Sequence, residues 1–298
     1  MRSRLLVAIG FLVCILTVQT GAQQQFQLFA SVVDGTGSPV TSIQPGDVRV
    51  MENGADAKVL AVEPIGWPTK IQILVDNGLG LGSSNLNQLR TGVRGLIEAL
   101  PEGTEVTLVA TSPQPRFILR PSTDRQLQLK AVDQIAPDSN VGRFVESLNE
   151  AMQRFERDKA SFFPVIVTFG TTLGDTRVME RDVNQLMERL EKRPTTVHVV
   201  LLTASGQSAG GGAMQTAVGL NVTQYSRGRY ENIAASSRIA SLLPEIGVQV
   251  AKSHERQSKQ IRITAERPSG SSGNIGKVSM SVKGGLTTVA LSFDGRLP

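Results

Sequence analysis

The chain has 298 residues, 31 Lys and Arg against 26 Asp and Glu, a formal net charge of +5 and 40% hydrophobic residues. That length accommodates an α/β core with a smaller appendage, and so mild a charge excess does not argue for nucleic-acid binding. One cysteine, Cys14, and two histidines, His198 and His254, leave nucleophilic triads and zinc centres short of parts.

Arg2 and Arg4 precede an apolar run from Leu5 to Leu16, and Thr20-Gly21-Ala22 supplies the small residues a signal peptidase reads. Residues 1–22 are therefore expected to be a signal peptide cleaved near Ala22, which sends the protein to the periplasm or outside the cell. Cys14 lies inside this run, and Phe11-Leu12-Val13 before it lacks the small residues of a lipoprotein box, so it reads as leader packing and not as a lipid anchor. The run is shorter than the roughly 20 apolar residues a bilayer requires, and no later segment reaches about 18, so no membrane span is expected in the mature chain.

Residues 23–68 read as a small β unit. Phe26 to Val33 is strand-like, Asp34-Gly35 and Gly37-Ser38-Pro39 are turn chemistry, and Asn53-Gly54 marks a hairpin between Val48 and Val50 and the strand Lys58 to Val62. From 69 to 255 strands alternate with amphipathic helices. The helical spacings are Leu86, Leu89, Val93 and Leu96; Phe144, Leu148, Met152 and Phe155; Val183, Leu186 and Leu190; and Ile239, Leu242, Leu243 and Ile246. Between them Val106 to Ala110, Phe163 to Phe169 and Thr196 to Leu202 are the apolar runs of strands covered on both faces. The fold class is α/β, with a doubly wound, mostly parallel sheet. Residues 256–298 return to β spacing, at Ile261 and Ile263, Val278 to Val282 and Val289 to Phe293, and are expected to pack with the amino-terminal strands as one β subdomain.

The strand from Thr69 stops on Asp76 and enters Asn77-Gly78-Leu79-Gly80. In an open α/β sheet the loops at the carboxyl ends of the strands form the ligand crevice, so Asp76 stands where function is concentrated. The glycines do not follow dinucleotide spacing, the next strand ends on Thr111 with no acid for a ribose, and no Gly-Lys-Ser/Thr occurs. A nucleotide-binding or enzymatic domain is therefore disfavoured. His198 reads as a core residue, His254 as a solvated one, and Glu188 with Glu191 as a charged helix face. The Ser205 to Gly212 loop falls on the ligand side of the sheet. Lys252, Arg256, Lys259, Arg262 and Arg267 form a basic set that could meet anionic envelope polymers.

Three stretches together carry a family likeness: Gly37 to Thr41 through Asp47-Val48-Arg49-Val50-Met51-Glu52-Asn53-Gly54, the strand into Asp76, and Gly228-Arg229-Tyr230 followed by a long helix and Ile261 to Pro268. The central region resembles a von Willebrand factor type A (VWA) domain, a Rossmann-like fold, and the flanks resemble the exported VWA-related proteins common in Acidobacteria. The resemblance implies a metal-ion-dependent adhesion site, built from Asp-x-Ser-x-Ser, a Thr on a second loop and an Asp on a third, whose divalent cation captures a partner's carboxylate. Here Asp76 fits the first position, Gly78 and Gly80 replace both serines, Gly142 stands for the Thr, and Thr171 for the third-loop Asp.

The expected site is thus a degenerate rim of Asp76, Asn77, Gly78, Gly80, Asn140, Gly142, Thr171 and Thr172, with no cofactor and no catalytic residue. A magnesium or manganese site rebuilt at Asp76 is the alternative, drawing on Thr171 and on Asp138, Ser139, Asn140, Thr172 and Asp175 nearby. The expected function is non-enzymatic: protein–protein or adhesive contact with a partner the sequence does not name.

Overall fold

The computed structural model describes residues 24–173, 178–204 and 212–296. The expected leader with Cys14, Asp175 and the loop 205–211 lie outside them. In chain order the elements are β1 (Gln25–Val33), β2 (Val48–Glu52), β3 (Ala55–Pro64), β4 (Thr69–Val75), α1 (Leu86–Ala99), β5 (Glu105–Ala110), β6 (Arg116–Ser122), α2 (Arg125–Val132) and α3 (Phe144–Arg157). There follow β7 (Phe163–Thr171), α4 (Glu180–Lys192), β8 (Thr196–Leu202), α5 (Ala213–Ser226), β9 (Tyr230–Ile233), α6 (Ile239–Gln257), β10 (Ile261–Glu266), β11 (Val278–Val282) and β12 (Thr287–Ser292).

The strands form two sheets. One has the order β6-β5-β4-β7-β8-β9, and its apolar strands are covered on both faces. Ile71, Ile73 and Val75 of β4 face α1 and α6, while Leu74 joins the core under α3, α4 and α5, as the period of two in a strand requires. Gln72 breaks the apolar run on that second face, yet its Nε2 donates to the Ala151 carbonyl at 2.9 Å and its Oε1 accepts from Arg154 Nε at 2.7 Å, so the buried amide is satisfied. Helices α1 and α6 approach closely because Gly92 and Gly247 carry no side chain: a Cβ at either would stand 2.6 Å from a backbone oxygen of the other helix.

The sheet is mixed rather than simply parallel. Strands β4, β5, β7, β8 and β9 run parallel, whereas β6 pairs antiparallel with β5 at the edge. Neither β6 nor β9 is apparent from sequence spacing. β6 carries Pro121 and has no buried residue, as an edge strand can. The same holds for α2, which is short and capped by the Asp124 carboxylate, and for α5, whose apolar residues spread around the helix so that Val218 and Val222 are buried but Met214 and Leu220 are exposed.

The other sheet has the order β11-β2-β3-β10-β1-β12 and is antiparallel throughout. Strands from both ends of the chain thus share it, with Phe26, Leu28, Val50, Ile261 and Ile263 in its core. Asn53 at φ 51° and Gly54 at φ 86° make the left-handed two-residue turn between β2 and β3. Phe29, Ile65 and Phe163 with Trp67 fill the joint between the two sheets.

Glu52 and Arg267, both nearly inaccessible, form a bidentate pair at 2.6 and 3.0 Å. Arg267 also donates to the Gln24 side chain and the Gly273 carbonyl, while Glu52 accepts the Gly276 N–H at 3.0 Å. This removes Arg267 from the solvated basic set read from the sequence. Arg262 pairs with Glu63 and Lys259 with Glu255, leaving Lys252 and Arg256 as exposed members without a side-chain partner among the described residues. The Arg267 guanidinium and the Gly276 N–H hold the Glu52 carboxyl below its ordinary value. Breaking a buried pair leaves an uncompensated charge, so Arg267→Ala is expected to lower the unfolding free energy by about 3–5 kcal/mol in urea titration.

Candidate functional site

The expected rim assembles at the carboxyl ends of β4, β5 and β7. Asp76 leaves β4 with its N–H donating to the Phe169 carbonyl at 2.9 Å, and Thr111 at the end of β5 is joined to the next loop by the Arg143 N–H at 3.0 Å. The residue is 4% exposed. Its Oδ1 accepts the Gly78 N–H at 2.9 Å and its Oδ2 accepts the Thr171 hydroxyl at 2.7 Å. Asn77 is buried beside it, with Nδ2 donating to the Ala136 carbonyl at 2.7 Å and its side-chain oxygen buried without a partner.

A second layer ties the loop before α3 to this one. The Asn140 carbonyl accepts the Leu79 N–H and the Ser112 hydroxyl, each at 2.9 Å. Asn140 in turn donates its N–H and Nδ2 to Asp138 Oδ1 at 2.8 and 2.9 Å. These two bonds hold the Asp138 carboxyl below its ordinary value. Thr172 accepts the Ala204 N–H at 2.9 Å and so links the ends of β7 and β8. All eight rim residues read from the sequence lie in this one region. Ser112, which the sequence reading passed over, joins them; its signal was its place just after a parallel strand.

The glycines explain the compactness. A Cβ at Gly142 would stand 2.5 Å from the Asp76 carboxyl carbon, one at Gly80 2.0 Å from the Thr171 hydroxyl, and one at Gly78 2.2 Å from the Asn140 carbonyl. The loops have settled into the space that longer side chains would hold open. Among the described residues the rim oxygens do not make up the near-octahedral set at short range that a magnesium or manganese ion needs. Both Asp76 oxygens already accept hydrogen bonds, and the second carboxyl, Asp138, is engaged by Asn140. No group of three or more His, Cys, Asp or Glu suited to a metal occurs among the described residues.

Burial pushes the Asp76 carboxyl above its ordinary value; the Thr171 hydroxyl and Gly78 N–H oppose this, and the nearby Asp138 charge adds to it. No histidine adjoins it to form an acid–base pair. His198 lies within β8 with Nδ1 accepting the Arg229 N–H at 3.1 Å, and burial lowers its pKa to about 4. His254 is half-buried rather than solvated, its Nδ1 2.9 Å from the Thr69 hydroxyl.

What the fold and the site define is a doubly wound α/β domain with a sealed acidic residue at the strand ends. Structure comparison places it further. The chain is similar to a von Willebrand factor type A protein from Catenulispora acidiphila, with a TM-score of 0.51 at 11% identity, covering 92% of this chain and 74% of that one. It is also similar to the pilus adhesin SpaC from Lactobacillus rhamnosus GG, with a TM-score of 0.50 at 11% identity, covering 69% of this chain and 35% of the adhesin. The protein has the VWA fold. No family model and no curated protein matches the sequence, and nothing in the comparisons bears on the acidobacterial likeness of the flanks.

Because the folded state favours the protonated carboxyl, it binds more protons than the unfolded chain just above the ordinary Asp range, and stability falls as pH rises through the interval up to the raised folded pKa. Asp76→Asn keeps an acceptor for Gly78 and a partner for Thr171 without the charge. It is expected to be at least as stable as the parent at pH 7 and to lose this part of the pH dependence. Asp76→Ala, which orphans both donors, is expected to lie about 1–3 kcal/mol below Asp76→Asn in denaturant titrations.

Proposed function

We propose that the chain is an exported, non-enzymatic protein whose VWA-fold domain makes protein–protein or adhesive contacts without a divalent cation at Asp76. The observation that carries this reading is the sealing of Asp76: its two oxygens accept Gly78 and Thr171, and Gly142 leaves no room between its loop and the carboxyl. A buried carboxyl engaged in this way fixes the loops and does not reach a partner. Among its described residues the rim presents Ser139, Asn140 and the side chains of Leu79 and Leu173 outward. Apolar and amide groups on a held loop suit protein contact better than capture of a carboxylate.

Export rests on the leader reading of residues 1–22; no helix among the described residues is long and apolar enough to cross a membrane. Among the described rim residues Asp76 meets hydroxyl and amide groups rather than an imidazole or an amine, which favours this non-enzymatic reading.

Thermal unfolding in chelator and then in millimolar magnesium or manganese tests the metal-free reading, since an ion that binds only the folded state raises the midpoint by mass action. The expected result is an unchanged midpoint. A rise of several degrees that Asp76→Ala abolishes would replace this reading with cation-dependent adhesion.

A further inference from the structure

The opposite end of the parallel sheet, at the amino ends of β4, β7 and β8, holds two adjoining cavities that the rim does not use. One, of about 190 Å³, is walled by Phe29, Trp67, Phe162, Phe163 and Phe293. These are five of the aromatic residues in a chain that is only 4% aromatic, so their convergence is not a matter of abundance. Phe29, Phe162 and Phe163 are buried, whereas Trp67 is half-buried and Phe293 is 52% exposed.

The second cavity, of about 40 Å³, shares Thr196, Gln257 and Arg296 with the first. Arg227, Arg256 and Arg296 line it, along with Ser253 and His198, and among the described residues no carboxylate does. Arg256 has no side-chain partner among the described residues. Arg227 donates only to the Arg296 carbonyl, at 3.0 Å, and Arg296 is offset by Asp294 at 2.7 Å on the side of the larger cavity. His198 is 2% exposed; because its Nδ1 accepts the Arg229 N–H, its proton sits on Nε2, which has no acceptor among the described residues and, not being among the buried unpartnered atoms, meets the cavity.

Part of this has an ordinary cause. Arg227 caps the C-terminal end of α5 and Arg256 lies in the last turn of α6, where a cation offsets the helix dipole. Arg296 likewise has partners of its own in Asp294 and the Tyr225 ring. None of this accounts for a ring-lined cavity opening into the same space, or for the imidazole N–H that meets it.

We propose that this junction binds an anionic saccharide: a sugar ring carrying a phosphate, sulfate or carboxylate. The ring lies against Trp67 and Phe293, its hydroxyls meet Thr196, Gln257 and Asp294, and its anion sits among Arg227, Arg256 and Arg296 with the His198 N–H. Guanidinium groups suit such oxyanions because they donate in a planar fork and stay charged. The site is independent of the rim and of the reading given for it.

Trp67 is the only tryptophan, so its emission reports on the cavity directly. The purified protein is titrated at physiological salt with glucose 6-phosphate, glucuronic acid, glucose, inorganic phosphate and adenosine monophosphate. The expected result is a saturable change with the two anionic sugars, at least tenfold weaker for glucose and for phosphate alone. Arg256→Ala should weaken the anionic sugars at least tenfold, whereas Arg94→Ala, a surface arginine on α1, should not change them. Because Arg256 is exposed and unpartnered, its loss should leave folding intact, which the far-ultraviolet spectrum checks. No saturation by either anionic sugar up to 10 mM, phosphate binding as tightly as glucose 6-phosphate, tighter binding of the nucleotide, or an unchanged Arg256→Ala would each overturn the proposal.

Discussion

Strand β10 lies between β3 and β1, pairing Ile261 with Pro64 on one side and with Ala30 on the other. Closing so long a loop is entropically costly and must be offset by what the closure buries. Here it buries Leu28, Ala30, Ile261, Ile263 and Ala265, and it seals the Glu52–Arg267 pair at the far end of the same strands. Everything between β3 and β10 is thereby held as a single excursion whose two ends meet at one sheet. Trp67, Phe29 and Phe163 pack where the excursion departs, so the aromatic joint is a consequence of the closure.

The α/β domain then has two unlike ends. At the carboxyl ends of the strands the loops close over a carboxyl and satisfy it internally. At the amino ends, where the domain meets the antiparallel sheet, rings and guanidinium groups line open space. A VWA fold is ordinarily read at its carboxyl-end rim; among the described residues of this one, both Asp76 oxygens are bonded internally and the Asn77 side-chain oxygen is buried without a partner.

Much of this architecture is written locally. The apolar run of β4, the alternation in β10, the helical stripes of α1, α3, α4 and α6, and the Asn53-Gly54 turn each announce their element, because each depends on burial period or on backbone preference within a few residues. What does not show is decided by tertiary context. β6 is a strand only because β5 offers it an edge, β9 because β8 does, and α5 has no single apolar stripe because only part of its surface is covered. For the site, the positions of the rim residues follow from strand ends, and the glycine substitutions are visible in the sequence. Their effect is not, since a missing serine could as well leave a hole. Arg267 shows the same limit: its charge suggests solvent, and only the position of Glu52, brought beside it by the sheet, makes it a buried residue.

The three glycines around Asp76 also act as a mutational ratchet. Placing a side chain at Gly78, Gly80 or Gly142 one at a time would press a Cβ into the Asn140 carbonyl, Thr171 or Asp76 itself, at separations no real Cβ adopts. Each step back toward an ion-binding loop would therefore have to move backbone before it gained a ligand, and overpacking of this kind is itself destabilising. An ion-binding loop is therefore not reached from this arrangement one residue at a time.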